Sequence, residues 1–377
     1  MFRWSLLLFS LALAALSSLT AIKAPDWSPW RLAVLSGEFG YLLAPVPLLI
    51  AAVAWLWRGD GSGGAAATVL VCAVAFGLFL KPCVEAAQLG RTLSERMTAA
   101  FGHREAPEAA FSFGGFFRSR PAAVSAETRT FSGELALDFF RAPGTDPRGV
   151  PCLVVIHGGG WDSGDRTQLA TFNHWLVSRG YAVAAVSYRL APKHIWPAQQ
   201  EDVRAALAYL KTRAGELGID PTRLVLLGRS AGGQIAEAAG YAANDPAIRG
   251  VVGLYAPSDM NFAYVNAHED DMLKSPTLMR QFLGGPPEAA PAAYDSASAL
   301  PRVNGRTPPT LLIHGQLDAL VWHRHSERLD AKLAEQGVPH VFLSLPWATH
   351  AFEYNLNGPG GQLTSYAVEW FLAAVTR

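Results

Sequence analysis

The chain has 377 residues; half are hydrophobic, only 16% are charged, and its 31 basic and 31 acidic residues cancel. Zero net charge gives no electrostatic case for nucleic acid or for a strongly charged partner, and so much apolarity points to lipid-facing segments beside a globular part. Cys72, Cys83 and Cys152 are too few and too irregularly placed for a disulfide framework or a thiolate metal site, and read as small buried apolar residues.

The apolar residues crowd the front. Residues 2–22 hold Arg3 and then a Leu/Ala/Ser run, residues 39–57 carry no charge and end in aromatics beside Arg58, and residues 65–80 are closed by Lys81-Pro82. About 20 helical residues cross ~30 Å of hydrocarbon, so 1–85 is expected to be a transmembrane helical region of about three spans. The third span requires Lys81 to snorkel. Trp27, Trp30, Trp55 and Trp57 fall where an interfacial aromatic belt belongs. The first segment also fits a signal peptide cleaved near Ala21 or Ala24, but two membrane-length runs follow it, so a multi-pass membrane protein is expected either way. Arg3 and Arg58 on one side against Lys23, Arg31, Lys81, Arg91 and Arg96 on the other would put the C-terminal part in the cytoplasm.

Residues 86–123 turn polar and rich in Gly, Arg and Phe and are expected to form a linker. From Val124 onward the pattern alternates. A hairpin is predicted over 128–140, apolar strands over 152–157, 182–188, 224–227, 251–255, 310–314 and 340–345, and helices over 199–213, 231–243, 323–336 and 363–376. Fully apolar strands separated by helices imply a mostly parallel sheet covered on both faces. Residues 258–300 break the rhythm, and an insertion after a strand reads as a lid or cap over a site.

Gly228-Arg229-Ser230-Ala231-Gly232 follows the apolar run Leu224–Leu227 and opens a predicted helix. This is the pattern of a nucleophile elbow, a turn so tight that strand and helix approach only across glycines. Acyl transfer needs a nucleophile, a base, a group that orients the base, and donors for the developing oxyanion. Ser230 is the expected nucleophile. His350, on a loop after the last strand in Trp347-Ala-Thr-His-Ala-Phe352, is the expected base; His323 and His325, two apart on a helix, face different ways, and His314 is expected to point toward its flanking glycine. Asp318, after the strand at 310–314, is the expected orienting acid in the order Ser, Asp, His, with Asp259 as competitor. The bare loop His157-Gly158-Gly159-Gly160-Trp161 and the elbow supply the expected oxyanion donors, the backbone N–H groups of Gly158, Gly159 and Ala231, with His157 as a loop brace. No Lys-Ser/Thr follows the glycines, which excludes a Walker site, and neither a cofactor nor a metal ion is called for.

Taken jointly, His157-Gly-Gly-Gly-Trp161, Tyr188-Arg-Leu-Ala-Pro192, Asp202, Gly228-Arg-Ser-Ala-Gly-Gly233, Asp318 and Thr349-His350 resemble the hormone-sensitive-lipase-like carboxylesterases, from Val150 to the C-terminus. The resemblance implies an α/β-hydrolase fold over 124–377 with a cap at about 258–300, esterase activity on short to medium acyl chains, and no cofactor. Receptor members of that group have lost the histidine that His350 retains. Soluble relatives build part of the cap from an N-terminal helical segment, where this chain has an apolar all-α bundle. Plant prenylcysteine methylesterases and arylacetamide deacetylases also join membrane segments to such a domain. The expectation is a membrane-anchored serine carboxylesterase or lipase acting on a small-molecule or lipid ester, its catalytic domain active on short esters without the bundle. A peptidase or amidase, an acyltransferase of the same fold, and a catalytically silent binding protein stay open at this point, as do the natural substrate and the oligomeric state.

Overall fold

The computed structural model describes residues 2–57, 63–103, 109–143 and 149–377. Arg58 and the Arg3 side chain, both used above to orient the chain, lie outside the described residues.

Four helices lead: α1 (Phe2–Ser18), α2 (Trp27–Leu43), α3 (Pro45–Leu56) and α4 (Gly63–Phe101). Leu13 of α1, Ile50 of α3 and Cys72, Ala75 and Phe79 of α4 form a small apolar core, with Ala44 between α2 and α3. The expected straight span over 39–57 is corrected. Pro45 lacks the N–H that would continue the helical ladder, and α2 and α3 meet at a 58° bend. Among the described residues one helix, α4, is by itself long and apolar enough to cross a membrane, with a mean hydropathy of 2.2 in a window only 22% buried; the bent pair passes only when joined.

Helix α4 also runs through Pro82, where the sequence predicted a stop, and on to Phe101, well into the expected linker. Two causes are visible. Pro82 cannot donate to the carbonyl of Leu78, and the Thr20 hydroxyl lies 3.0 Å from that carbonyl, sharing its one proton between it and the Ser17 carbonyl at 2.8 Å. Beyond Pro82, Ala86, Leu89, Leu93 and Met97 make an apolar stripe of helical period that packs into the core beneath the helix over Pro359–Val375.

The second half alternates strand and helix: β1 (Glu127–Ser132), β2 (Leu135–Phe140), β3 (Val150–Ile156), α5 (Ala170–Ser178), β4 (Ala182–Val186), α6 (Ala198–Thr212), α7 (Ala214–Leu217), β5 (Ile219–Arg229), α8 (Ala231–Ala242) and β6 (Ile248–Leu254). There follow α9 (Met260–Asn266), α10 (Ser275–Leu283), α11 (Pro291–Ala297), β7 (Thr310–Gly315), α12 (Arg324–Glu335), β8 (His340–Leu345) and α13 (Pro359–Val375). The eight strands form one sheet in the order β1-β2-β4-β3-β5-β6-β7-β8, with β2 antiparallel to both neighbours and β4 through β8 parallel. Alternate residues of the central strands enter opposite cores: Val154 and Leu226 pack on the α8 side, Val155 and Leu227 on the α13 side. That is why these strands read as continuous apolar runs. The cap region, expected to be irregular, carries three short helices, α9 to α11. The three cysteines are free and buried.

Candidate active site

Ser230 sits between β5 and α8 with φ 53° and ψ −122°, a conformation that only a tightly constrained turn imposes on a side-chain-bearing residue. The surrounding glycines are sterically required. A Cβ on Gly228 would stand 2.0 Å from the Gly232 carbonyl oxygen, and one on Gly232 would stand 2.3 Å from the carbonyl oxygens of His157 and Ile156. The elbow therefore presses against the glycine loop as well as against its own helix.

Ser230, Ala231 and His350 line one cavity of about 490 Å³ with Gly158, Gly159 and Gly160. The His350 ring Nδ1 donates to Asp318 Oδ2 at 2.7 Å, and both residues are buried. The other oxygen of Asp318 accepts the backbone N–H groups of Leu320 and Val321 at 2.8 and 2.9 Å. Burial alone would raise the Asp318 carboxyl; the imidazoles of His350 and His314 outweigh it and hold the group well below the usual carboxylate range. Asp259, the competing acid, is elsewhere engaged: it caps α9 through the Phe262 N–H at 3.0 Å and pairs with Arg328 at 2.7 Å.

One expected oxyanion donor is corrected. The Gly158 N–H already donates to Gln168 Oε1 at 2.8 Å, a partner ten residues along that no local pattern signals. Gly159, at φ +121°, and Ala231, the first residue of α8, remain the donors that the expected set leaves beside Ser230. His157 braces the loop as expected: its ring stacks on Tyr188 at 4.2 Å, and the Tyr188 hydroxyl donates to the His157 carbonyl at 3.2 Å. Arg189 and Asp202 hold the Tyr188 segment through a 2.8 Å ion pair.

Other residues at the site carry no motif. His314 does not face its flanking glycine. Its Nε2 lies 3.2 Å from Asp318 Oδ2 and 3.1 Å from the Val321 carbonyl, and its Nδ1 lies 2.7 Å from the Ser326 hydroxyl. A carbonyl only accepts, so Nε2 carries the proton and His314 is a second donor aimed at Asp318. Arg229, beside the nucleophile, is buried and pairs with Glu353 at 3.0 Å, and Tyr255 donates to the same carboxylate while its ring lies 4.1 Å from that of His350. His323 and His325 are kept neutral, their pKa values lowered to about 4 and about 3 by burial first and then by the nearby His314. A second cavity of about 340 Å³ adjoins the first and shares Trp161, Pro257, Leu273, Leu278, Leu320 and Val321 with it. Among the described residues no cluster of three His, Cys, Asp or Glu side chains could hold a metal ion.

The family model of BD-FAE matches residues 137–333, more than half of the chain, from β2 through the elbow and Asp318 into α12. The chain belongs to the BD-FAE family. Relatives of this BD-FAE chain include a probable carboxylic ester hydrolase, LipM, of Mycobacterium tuberculosis, 31% identical over 63% of this chain and 58% of LipM. Esterase LipQ of the same organism is 30% identical over 58% of this chain and 55% of its own length. The chain thus spans little more than half the length of these curated relatives. Among solved structures, a bacterial heroin esterase superposes with a TM-score of 0.58 at 23% identity, over 76% of this chain and 99% of that one. A truncated carbohydrate esterase from gut microbiota gives 0.57 at 23% identity, over 69% of this chain and all of that one. These likenesses establish the α/β-hydrolase fold.

Proposed function

We propose that this BD-FAE protein is a serine carboxylesterase attached to a membrane, hydrolysing an apolar ester through Ser230, His350 and Asp318. The observation that carries the reading is the 2.7 Å bond from His350 Nδ1 to a buried Asp318, with the same imidazole lining the cavity that holds Ser230 and the bare glycine loop. Asp318 keeps the Nδ1 proton in place, so Nε2 is free to accept the Ser230 hydroxyl proton as Oγ attacks the ester carbonyl. The resulting oxyanion is held by the N–H groups of Gly159 and Ala231. Its collapse breaks the bond to the alcohol, which leaves with the proton from His350, and Ser230 retains the acyl group. Water then repeats the sequence, losing its proton to His350 and releasing the carboxylic acid. The names of LipM and LipQ support ester hydrolysis, and the glycine-loop, elbow and Thr349-His350 motifs support kinship with the hormone-sensitive-lipase-like group.

Attachment to lipid is supported by the apolar first half of α4 and by large exposed side chains on the same bundle, among them Trp4, Leu8, Leu49, Leu56 and Leu70. A fluorophosphonate probe should label the full chain, and Ser230→Ala should abolish labelling while lowering kcat by about 10⁴–10⁶-fold with the fold intact. An unlabelled wild type, or hydrolysis by the Ser230→Ala chain at the wild-type rate, refutes the reading.

A further inference from the structure

Helix α2 meets the catalytic half at two places, and both belong to the site. At its start, Trp27 and Trp30 line the cavity that holds Ser230 and His350. The two indoles stand edge to face at 5.5 Å, and Trp27 Nε1 donates to the Met272 carbonyl in the cap at 2.9 Å. Lys23 and Ala24, just before α2, line the adjoining cavity. The first helices are therefore tied to the cap across the mouth of the cleft.

The second contact lies further along α2. Glu38 is 1% exposed, and its carboxylate accepts Trp347 Nε1 at 3.1 Å and the Gly360 N–H at 2.8 Å. Its backbone carbonyl accepts Asn355 Nδ2 at 2.8 Å. Trp347 precedes His350, and Asn355 and Gly360 follow it, so one residue of α2 grips the histidine loop from both sides. A Cβ on Gly358 or Gly360 would come within 2.6 or 2.7 Å of the Glu38 carboxylate, a closeness that leaves no room for water between them. A buried indole N–H and a buried backbone N–H both depend on this carboxylate, and an orphaned buried donor is costly.

We propose that α2 is part of the active site: Trp27 and Trp30 are the outer wall that binds the apolar group of the ester, and Glu38 is a positioning residue for His350. The substrate class is an ester whose apolar group is large enough to reach from Ser230 to the two indoles. The proposal rests on the serine-esterase reading above and replaces the expectation of a catalytic domain separable from the bundle.

The test uses the full chain in detergent micelles, with p-nitrophenyl esters from acetate to decanoate. Trp27→Ala and Trp30→Ala should raise KM by a factor that grows with acyl length, reaching about tenfold or more on decanoate as pocket contacts are lost. A loss that is the same at every length overturns the wall. Glu38→Gln offers an amide N–H to one of two donors and should lower kcat about tenfold at every length with KM nearly unchanged, the signature of a displaced base. Trp347→Phe, which removes one donor and keeps an aromatic ring, should give the same split in milder form, and supplies the readout if Glu38→Gln does not fold. Wild-type kcat in either folded variant, whatever the change in Tm, overturns the positioning role. Probe labelling of the wild type is measured alongside: its absence sinks the esterase reading itself, whereas with a labelled wild type the variant kinetics judge α2 alone.

Discussion

Replacing Asp318 by Asn changes one atom and should nearly silence the enzyme. The Oδ1 position receives the Leu320 and Val321 N–H groups at 2.8 and 2.9 Å, so the asparagine carbonyl is drawn there and the amide NH2 takes the place of Oδ2. That NH2 then faces two donors, His350 Nδ1 from 2.7 Å and His314 Nε2 from 3.2 Å. His350 can relieve the clash only by moving its proton from Nδ1 to Nε2, and in that tautomer it cannot accept the Ser230 proton. Loss of the working tautomer costs about 10⁴ in kcat in triads of this kind, or ~5.4 kcal/mol at 1.36 kcal/mol per decade. The assay is hydrolysis of p-nitrophenyl butyrate at pH 7, with a thermal melt to confirm folding. Asp259→Asn is the control: the asparagine oxygen caps α9 as the aspartate does, only the charge facing Arg328 is lost, and the variant should keep most of the rate. If the folded Asp318→Asn chain retains more than about a tenth of wild-type kcat, or if Asp259→Asn proves the more damaging, Asp318 is not the orienting acid.

Two further outcomes follow from the packing. Gly232→Ala places a Cβ 2.3 Å from two carbonyl oxygens of β3 and the glycine loop, and should lose 1–3 kcal/mol or more in denaturant unfolding, as overpacked sites do; a loss below about 0.5 kcal/mol would mean that the elbow does not press on the loop. Glu237 of α8 is wholly buried, and burial raises its carboxyl pKa to about 8, against a lowering contribution from Ser258. Its folded pKa lies above the unfolded one, so the native state holds the proton more tightly; this contribution is full below about pH 4.5 and is lost as pH rises toward 8. Urea unfolding at pH 5 and pH 8 should show that slope in the wild type and a weaker one in Glu237→Gln, and an equal slope in both would remove Glu237 from the account.

What could be read from the sequence was whatever is local. The central strands were legible because both faces of the sheet are buried, so β3 and β4 carry no polar alternation. The elbow is legible because Gly-x-Ser-x-Gly is a local pattern, even though Gly232 is demanded by the distant carbonyls of Ile156 and His157. The partners that tune the site leave no pattern, whether near in sequence, as Gln168 on the Gly158 N–H and His314 turned back on Asp318, or remote, as Glu353 on Arg229 and Glu38 under the histidine loop. The helical bundle departs from expectation where proline rules meet tertiary contacts. Pro45 bends the expected second span, whereas Pro82 fails to stop α4.

One of the two causes that carry α4 past Pro82 is a single hydroxyl. Thr20 lends Leu78 the donor that the imino acid at 82 withholds, and without it that carbonyl would face its apolar neighbours with a bond missing. Positions 20 and 82, far apart along the chain, are therefore one choice rather than two. Serine is the natural substitute for the threonine while the proline stays; once an ordinary residue stands at 82, position 20 is released and can drift toward valine or alanine. Pairwise covariation between these columns in an alignment of related chains would carry the imprint of that bargain.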